Sequence, residues 1–131
     1  MNSQNRQKSD AIWYERAEKV LHEVLSALPP DVRRCLDNVT VTLDPYPAEH
    51  EKIQAGDGEA LLGLFVGTPY AEINENSDPV PCVIRLFVEN LRDEAENNLV
   101  MFDCEVRKTL LHEIGHYIGL DEVDLISRGL A

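Results

Sequence analysis

Hydrophobic residues in the first part of the chain recur every three or four positions. Between residues 12 and 28 they fall on one side of a helix, which is the pattern of a helix that packs against a core along one face. Pro29 and Pro30 end it, because proline lacks the N–H that a helix needs. We predict a helix over residues 10–28, a disordered tail at residues 1–9 before it, and a short helix after Asp31.

Three short segments have the pattern of β-strands. Residues 39–43 alternate between apolar and polar side chains, as in a half-buried strand, whereas residues 61–66 and 82–88 are almost wholly apolar. The polar residues 48–58 contain three turn-forming residues at their end and fit either a loop or an irregular helical turn. The sequence therefore predicts a small sheet of three to four strands.

Helical spacing returns near the end of the chain, from Leu99 to a break at Gly119. The polar residues 89–98 before it leave room for a short helix. The order of elements predicts an α+β fold with an N-terminal helix, a small sheet and a C-terminal helix. With 131 residues and a mass of 14.8 kDa, we expect one domain over residues 10–131.

Composition and charge narrow the classes of partner. The net charge of −12 repels nucleic-acid phosphates and anionic lipid headgroups, so we expect neither nucleic acid nor membrane as a partner. Cys35, Cys82 and Cys104 are widely spaced, and three thiols cannot all pair within one chain. The polar N-terminus does not resemble a signal peptide, so we expect a cytoplasmic protein. The sequence does not indicate whether the protein is a monomer or an oligomer.

The C-terminal helix contains the strongest functional signal, the H-E-x-x-H pattern from His112 to His116. Residues four apart on a helix differ by about 40° in direction and about 6 Å in height, so both imidazoles can bind one metal ion. Glu113 lies beside this pair. Its carboxylate is placed to act as a general base towards water that a metal activates.

Two imidazoles leave a catalytic zinc one short of its usual three protein ligands. Gly119 accepts the left-handed conformation that ends helices, which lets the chain turn back towards the metal. Glu122 is then the predicted third ligand, with Asp121 and Asp124 as alternatives. If one of these acids supplied a fourth ligand, the zinc would be structural.

These residues favour zinc-dependent hydrolysis of peptide bonds, with Glu113 as catalytic base and zinc as cofactor. The substrate is a peptide or protein of unknown sequence, expected along the edge of the strand at residues 82–88. Two alternatives stay open. One is a non-catalytic, zinc-stabilised protein-interaction domain, and the other is a latent peptidase that needs a partner to open its cleft.

The segment from His112 to Glu122 resembles the active-site helix of zincin metallopeptidases with the extended motif H-E-x-x-H-x-x-G-x-x-(D/E). Together with Leu28-Pro29-Pro30-Asp31, residues 36–39 and residues 61–65, it is similar to a small bacterial family of neutral zinc metallopeptidases. The resemblance covers residues 15–131 and implies a minimal zincin fold. Family members often carry Asp where this chain has Glu122. Metzincins carry a methionine in a turn beneath the metal, after the motif. The methionines of this chain, Met1 and Met101, both precede the motif, so the chain is not a metzincin.

Overall fold

The computed structural model describes residues 3–55, 61–73, 81–120 and 122–127. The elements in these ranges are α1 (Ser3–Ala27), α2 (Pro30–Cys35), β1 (Val39–Asp44), α3 (Glu49–Ala55), β2 (Gly63–Val66), a 3₁₀ turn (Tyr70–Glu72), β3 (Cys82–Phe87), α4 (Val88–Glu94), α5 (Leu99–Ile118) and α6 (Glu122–Ser127). The predicted α+β class, small sheet and long C-terminal helix are confirmed. Among the described residues, none of the helices has the length and apolar content that crossing a bilayer requires.

Several boundaries differ from the predicted ones. Helix α1 begins at Ser3, within the segment expected as a tail, and the division into tail and domain stays a prediction. The stretch expected as a loop or helical turn contains the two-turn helix α3. Strand β3 ends one residue early, because the N–H of Glu89 leaves the sheet and donates to the carbonyl of Pro45 at 3.1 Å. Helix α6 has no counterpart in the prediction.

The three strands form one mixed sheet with the order β1-β3-β2. Strand β1 runs parallel to β3, and β2 runs antiparallel to β3. Because β3 is hydrogen-bonded on both sides, it has no free edge. The expectation that a peptide adds to the edge of residues 82–88 is therefore wrong, and within the described ranges the free edges of this sheet belong to β1 and β2.

The core lies between one face of the sheet and the two long helices. Helix α5 is buried along one side against α1 and β3, and Trp13 of α1 meets Phe102 of α5 edge to face at 5.0 Å between ring centroids. Arg16 and Asp103 form an ion pair at the margin of the same helix contact. These contacts determine which side of α5 faces outward. The core includes Ala17, Val20, Val24, Ile84, Leu86, Phe102, Val106, Leu110 and Ile114.

The opposite face of the sheet carries a charged cluster that holds α3. Arg85 of β3 donates to Asp44 of β1 at 3.2 Å and to the carboxylate of Glu51 of α3. Glu51 is 3% exposed, and its other oxygen accepts the N–H of Ala48 at 2.7 Å. This last bond satisfies a donor at the start of the helix, as in a capping box. One buried carboxylate thus joins α3 to the central strand.

Strand β2 passes α5 so closely that a side chain at Gly63 would have to displace its neighbours. A Cβ atom at Gly63 would lie 2.6 Å from Cγ2 of Thr109 and 3.4 Å from Cγ of Glu113. The first distance is shorter than a normal van der Waals contact, and Thr109 is itself buried. Gly63 therefore sets the spacing between the edge strand and the helix with the H-E-x-x-H pattern.

The charged cluster predicts different effects for two acids of α3. Glu51→Ala should lower the free energy of unfolding by about 1–3 kcal/mol, because it removes a buried partner of Arg85 and of the Ala48 N–H. Glu49→Ala is the matched control, since its side chain is 86% exposed and exposed pairs contribute little. Urea unfolding monitored by circular dichroism measures both. Equal losses would show that Glu51 does not hold α3.

The close crossing at Gly63 predicts a coupling between two positions. Gly63→Ala should destabilise the protein by about 1–3 kcal/mol through overpacking. In a Thr109→Ser background the obstructing methyl group is gone, so the cost of Gly63→Ala should fall markedly. A double-mutant cycle of unfolding free energies gives this coupling. Costs that simply add would contradict the assigned contact.

Candidate metal centre

The H-E-x-x-H residues lie in the last two turns of α5. The side-chain oxygen of Asn98 accepts the N–H of Met101 and so caps the start of this helix, while packing against α1 and the sheet buries its inner side. His112 and His116 remain partly exposed, and their ring centroids are 4.2 Å apart. The predicted common direction of the two imidazoles is thus present.

Glu113 completes a compact group of potential ligand atoms. One ring nitrogen of each histidine and one oxygen of Glu113 all lie within 4.8 Å of one another. The distance from Nδ1 of His116 to Oε2 of Glu113 is 3.6 Å. Two imidazoles with a carboxylate beside them form a donor set that suits zinc. The structure therefore brings three of the four predicted site residues together, whereas their roles stay predictions.

The environment of Glu113 differs from that of the two histidines. Its side chain is buried beside β2, and the backbone N–H of Phe65 donates a hydrogen bond to its carboxylate. Burial raises the pKa of Glu113 above the ordinary value for a glutamic acid, and the charge of His112 and the bond from Phe65 oppose this rise. A raised pKa favours a carboxylate that accepts and releases protons.

The bond from Phe65 comes from the free edge of the sheet. The N–H of Phe87 donates to the carbonyl of Leu62 across the β2–β3 pair, so alternate residues of β2 direct their backbone groups towards β3. The backbone N–H and C=O groups of Gly63 and Phe65 therefore point away from β3, towards the free edge of β2. Sequence reasoning missed this contribution, because a backbone donor has no residue signature.

Aromatic packing supports the same side of the site. Tyr117 follows His116 in α5 and is almost fully buried. Its ring lies 5.2 Å from that of Phe65 and 5.9 Å from that of Tyr70, measured between centroids. Tyr117 thus ties the end of α5 to β2 and to the 3₁₀ turn, which limits movement of the adjacent histidine.

The turn after α5 forms where the sequence predicts it. Gly119 has φ 81° and ψ 24° in the left-handed region, where glycine is favoured. The N–H of Leu120 donates to the carbonyl of Gly115 at 2.7 Å and closes the turn. The chain then continues into α6. Gly119 therefore redirects the chain immediately after the second histidine.

The acids proposed as third ligand follow this turn. Glu122 is the first residue of α6. Asp124 follows two positions later in the same helix and is exposed. Asp121 and the side chain of Glu122 lie outside the described part of the chain. The choice of third ligand accordingly stays a prediction.

Comparison with known proteins places this geometry in a family. A search of curated proteins found no match. A family model described as zincin-like metallopeptidase matches residues 36–130, which include the whole sheet and the H-E-x-x-H helix and make up most of the chain. The fold, the motif and this match agree, and the chain belongs to the zincin-like metallopeptidase family.

Proposed function

We propose that this protein is a zinc-dependent peptidase that hydrolyses peptide bonds in a peptide or protein substrate. The observation that carries the proposal is that one nitrogen of His112, one nitrogen of His116 and one oxygen of Glu113 lie within 4.8 Å of one another, in a chain of the zincin-like metallopeptidase family. In this proposal His112, His116 and Glu122 hold the zinc. Glu113 is the catalytic base.

The residues present fit a catalytic zinc. Both histidines are partly exposed on one side of α5, so a cation between them stays accessible to a substrate. When bound, zinc supplies Lewis acidity, which makes water nucleophilic near neutral pH and polarises a peptide carbonyl. Three protein ligands leave a coordination position open for this chemistry.

Glu113 performs the proton transfers. Its carboxylate takes a proton from the attacking water and delivers it to the nitrogen of the leaving amine, so that the carboxylate is restored at the end of the reaction. The backbone N–H of Phe65 fixes the orientation of the carboxylate. Burial beside β2 raises its pKa and makes it a stronger base than an exposed glutamate.

The free edge of β2 is the proposed place of the substrate chain. Gly63 and Phe65 direct backbone groups towards this edge, and the Phe65 N–H already reaches Glu113. An extended peptide added along β2 would therefore bring its backbone close to the catalytic base. Main-chain hydrogen bonds of this kind bind many sequences, so this arrangement predicts broad rather than narrow preference.

Removal of either histidine should abolish zinc binding. His112→Ala and His116→Ala should each reduce zinc from about one ion per chain to near zero, because two remaining ligands hold the metal weakly. His50→Ala is the matched control, since His50 lies on α3 and is not part of the group of ligand atoms. Elemental analysis of the purified proteins gives the stoichiometry. Full retention of zinc in both α5 variants would contradict the site.

The same measurement distinguishes the candidate third ligands. Glu122→Ala should weaken zinc affinity strongly, whereas Asp124→Ala should leave it nearly unchanged. The reverse order would move the ligand role to Asp124. If neither variant loses zinc, Asp121 becomes the candidate third ligand, and Asp121→Ala tests this role.

Replacement of the proposed base should separate metal binding from catalysis. Glu113→Gln should retain zinc but lower the cleavage of a mixed peptide library by about 10²–10⁴-fold, the usual contribution of a general base. Glu105→Gln, on the same helix two turns earlier, is the control and should cleave normally.

The outcomes also decide between the proposed function and its alternatives. Equal cleavage by Glu113→Gln and the unmodified protein would contradict the catalytic role. Full zinc loading without any cleavage would favour a zinc-stabilised interaction domain. Cleavage that requires added cell extract, and that Glu113→Gln abolishes, would identify a latent peptidase.

A further inference from the structure

A cavity lies where α1 ends against α2 and β1. Its volume is about 280 Å³. Its floor is formed by Ile84 and Ile114, which have no exposed surface. Its apolar walls are Leu25, Leu36, Val39 and Val41. The cavity thus offers a small apolar interior that opens to solvent and that none of His112, Glu113 and His116 lines.

The mouth of the cavity carries one charge of each sign. Arg33 and Asp37 both line it. The Nη2 group of Arg33 donates to the carbonyl of Ser26 at 2.8 Å and to that of Leu28 at 3.4 Å, which holds the guanidinium in place. Within the described residues, neither Arg33 nor Asp37 takes part in an ion pair. Two opposite charges therefore stand at the entrance of an apolar space.

We propose that this cavity binds a free aliphatic α-amino acid such as leucine. Its carboxylate would pair with the remaining donors of Arg33, as guanidinium groups commonly do. Its ammonium group would pair with Asp37, and its side chain would occupy the apolar interior. An aliphatic carboxylic acid would leave Asp37 beside a second negative charge, and an aliphatic amine would leave Arg33 without its anion.

The size of the cavity supports a ligand of this class. Pockets for drug-sized molecules commonly measure about 300–1,000 Å³, so 280 Å³ indicates a smaller molecule. A single amino acid with a branched side chain fits within this volume. The proposal does not depend on the peptidase activity, because it concerns different residues and binding alone.

Four probes test the proposed recognition by isothermal titration calorimetry. Leucine contains both charges and the side chain, leucinamide lacks the carboxylate, 4-methylpentanoate lacks the ammonium group, and glycine lacks the side chain. Leucine should bind about two- to fivefold more tightly than leucinamide and 4-methylpentanoate, since an exposed charged pair contributes about that factor. It should bind at least about tenfold more tightly than glycine, since burial of the side chain contributes more. Equal affinity for leucine and 4-methylpentanoate, or no binding of leucine at millimolar concentrations, would overturn the proposal.

Two charge variants assign the partners. Arg33→Gln should weaken leucine binding about two- to fivefold and leave leucinamide binding unchanged. Asp37→Asn, a substitution of similar shape, should weaken leucine binding and leave 4-methylpentanoate binding unchanged or stronger. Arg107→Gln is the control, because Arg107 is exposed on α5 and lines neither this cavity nor the adjoining depression that Arg33 and Asp37 also line. Unchanged leucine binding in both Arg33→Gln and Asp37→Asn would contradict the assignment.

Methyl NMR spectra show where the ligand lies. Leucine should shift the signals of Val39, Val41 and Ile84, and leave those of Val100, which is 69% exposed on α5, unchanged. The spectrum of each variant without ligand also shows whether it is folded. Shifts confined to other methyl groups would place leucine elsewhere and overturn the proposal.

Discussion

The burial of one side of α5 is the constraint on which the rest of the structure depends. Phe102, Val106, Leu110 and Ile114 enter the core between α1 and the sheet, and this fixes the rotation of the helix about its axis. The two histidines consequently remain partly exposed, while Glu113, one step further around, is buried next to β2. Ordinary hydrophobic packing thus leaves the two potential zinc ligands partly exposed to solvent and buries the proposed base.

A carboxylate buried in this way needs compensation, because removal of a charge from water is costly unless it gains a hydrogen bond or a partner charge. The N–H of Phe65 and the charge of His112 supply it in part. The bond from Phe65 depends on the close approach of β2 to α5 at Gly63. The edge strand therefore shapes the candidate site as much as the motif does.

The sequence predicted the parts of the fold that depend on periodicity and on local chemistry. Spacing of apolar residues indicated α1, α5 and three strands, and Gly119 indicated the turn after the motif. It could not predict which strand lies in the centre, because residues 61–66 and 82–88 have the same apolar pattern. The sequence does not distinguish a loop from a helix at α3, because its buried Glu51 has the charge of a typical surface residue. The hydrogen bond from Phe65 depends on backbone placement alone.

The long N-terminal helix bears on how much of the chain is needed to cover the inner side of α5. The family match begins at residue 36, after α1 has ended, yet Trp13, Ala17, Val20 and Val24 of α1 cover the inner side of α5. A chain trimmed to the matched region would leave that apolar surface in contact with water. The segment that the family model matches is therefore smaller than the segment that buries the inner side of α5.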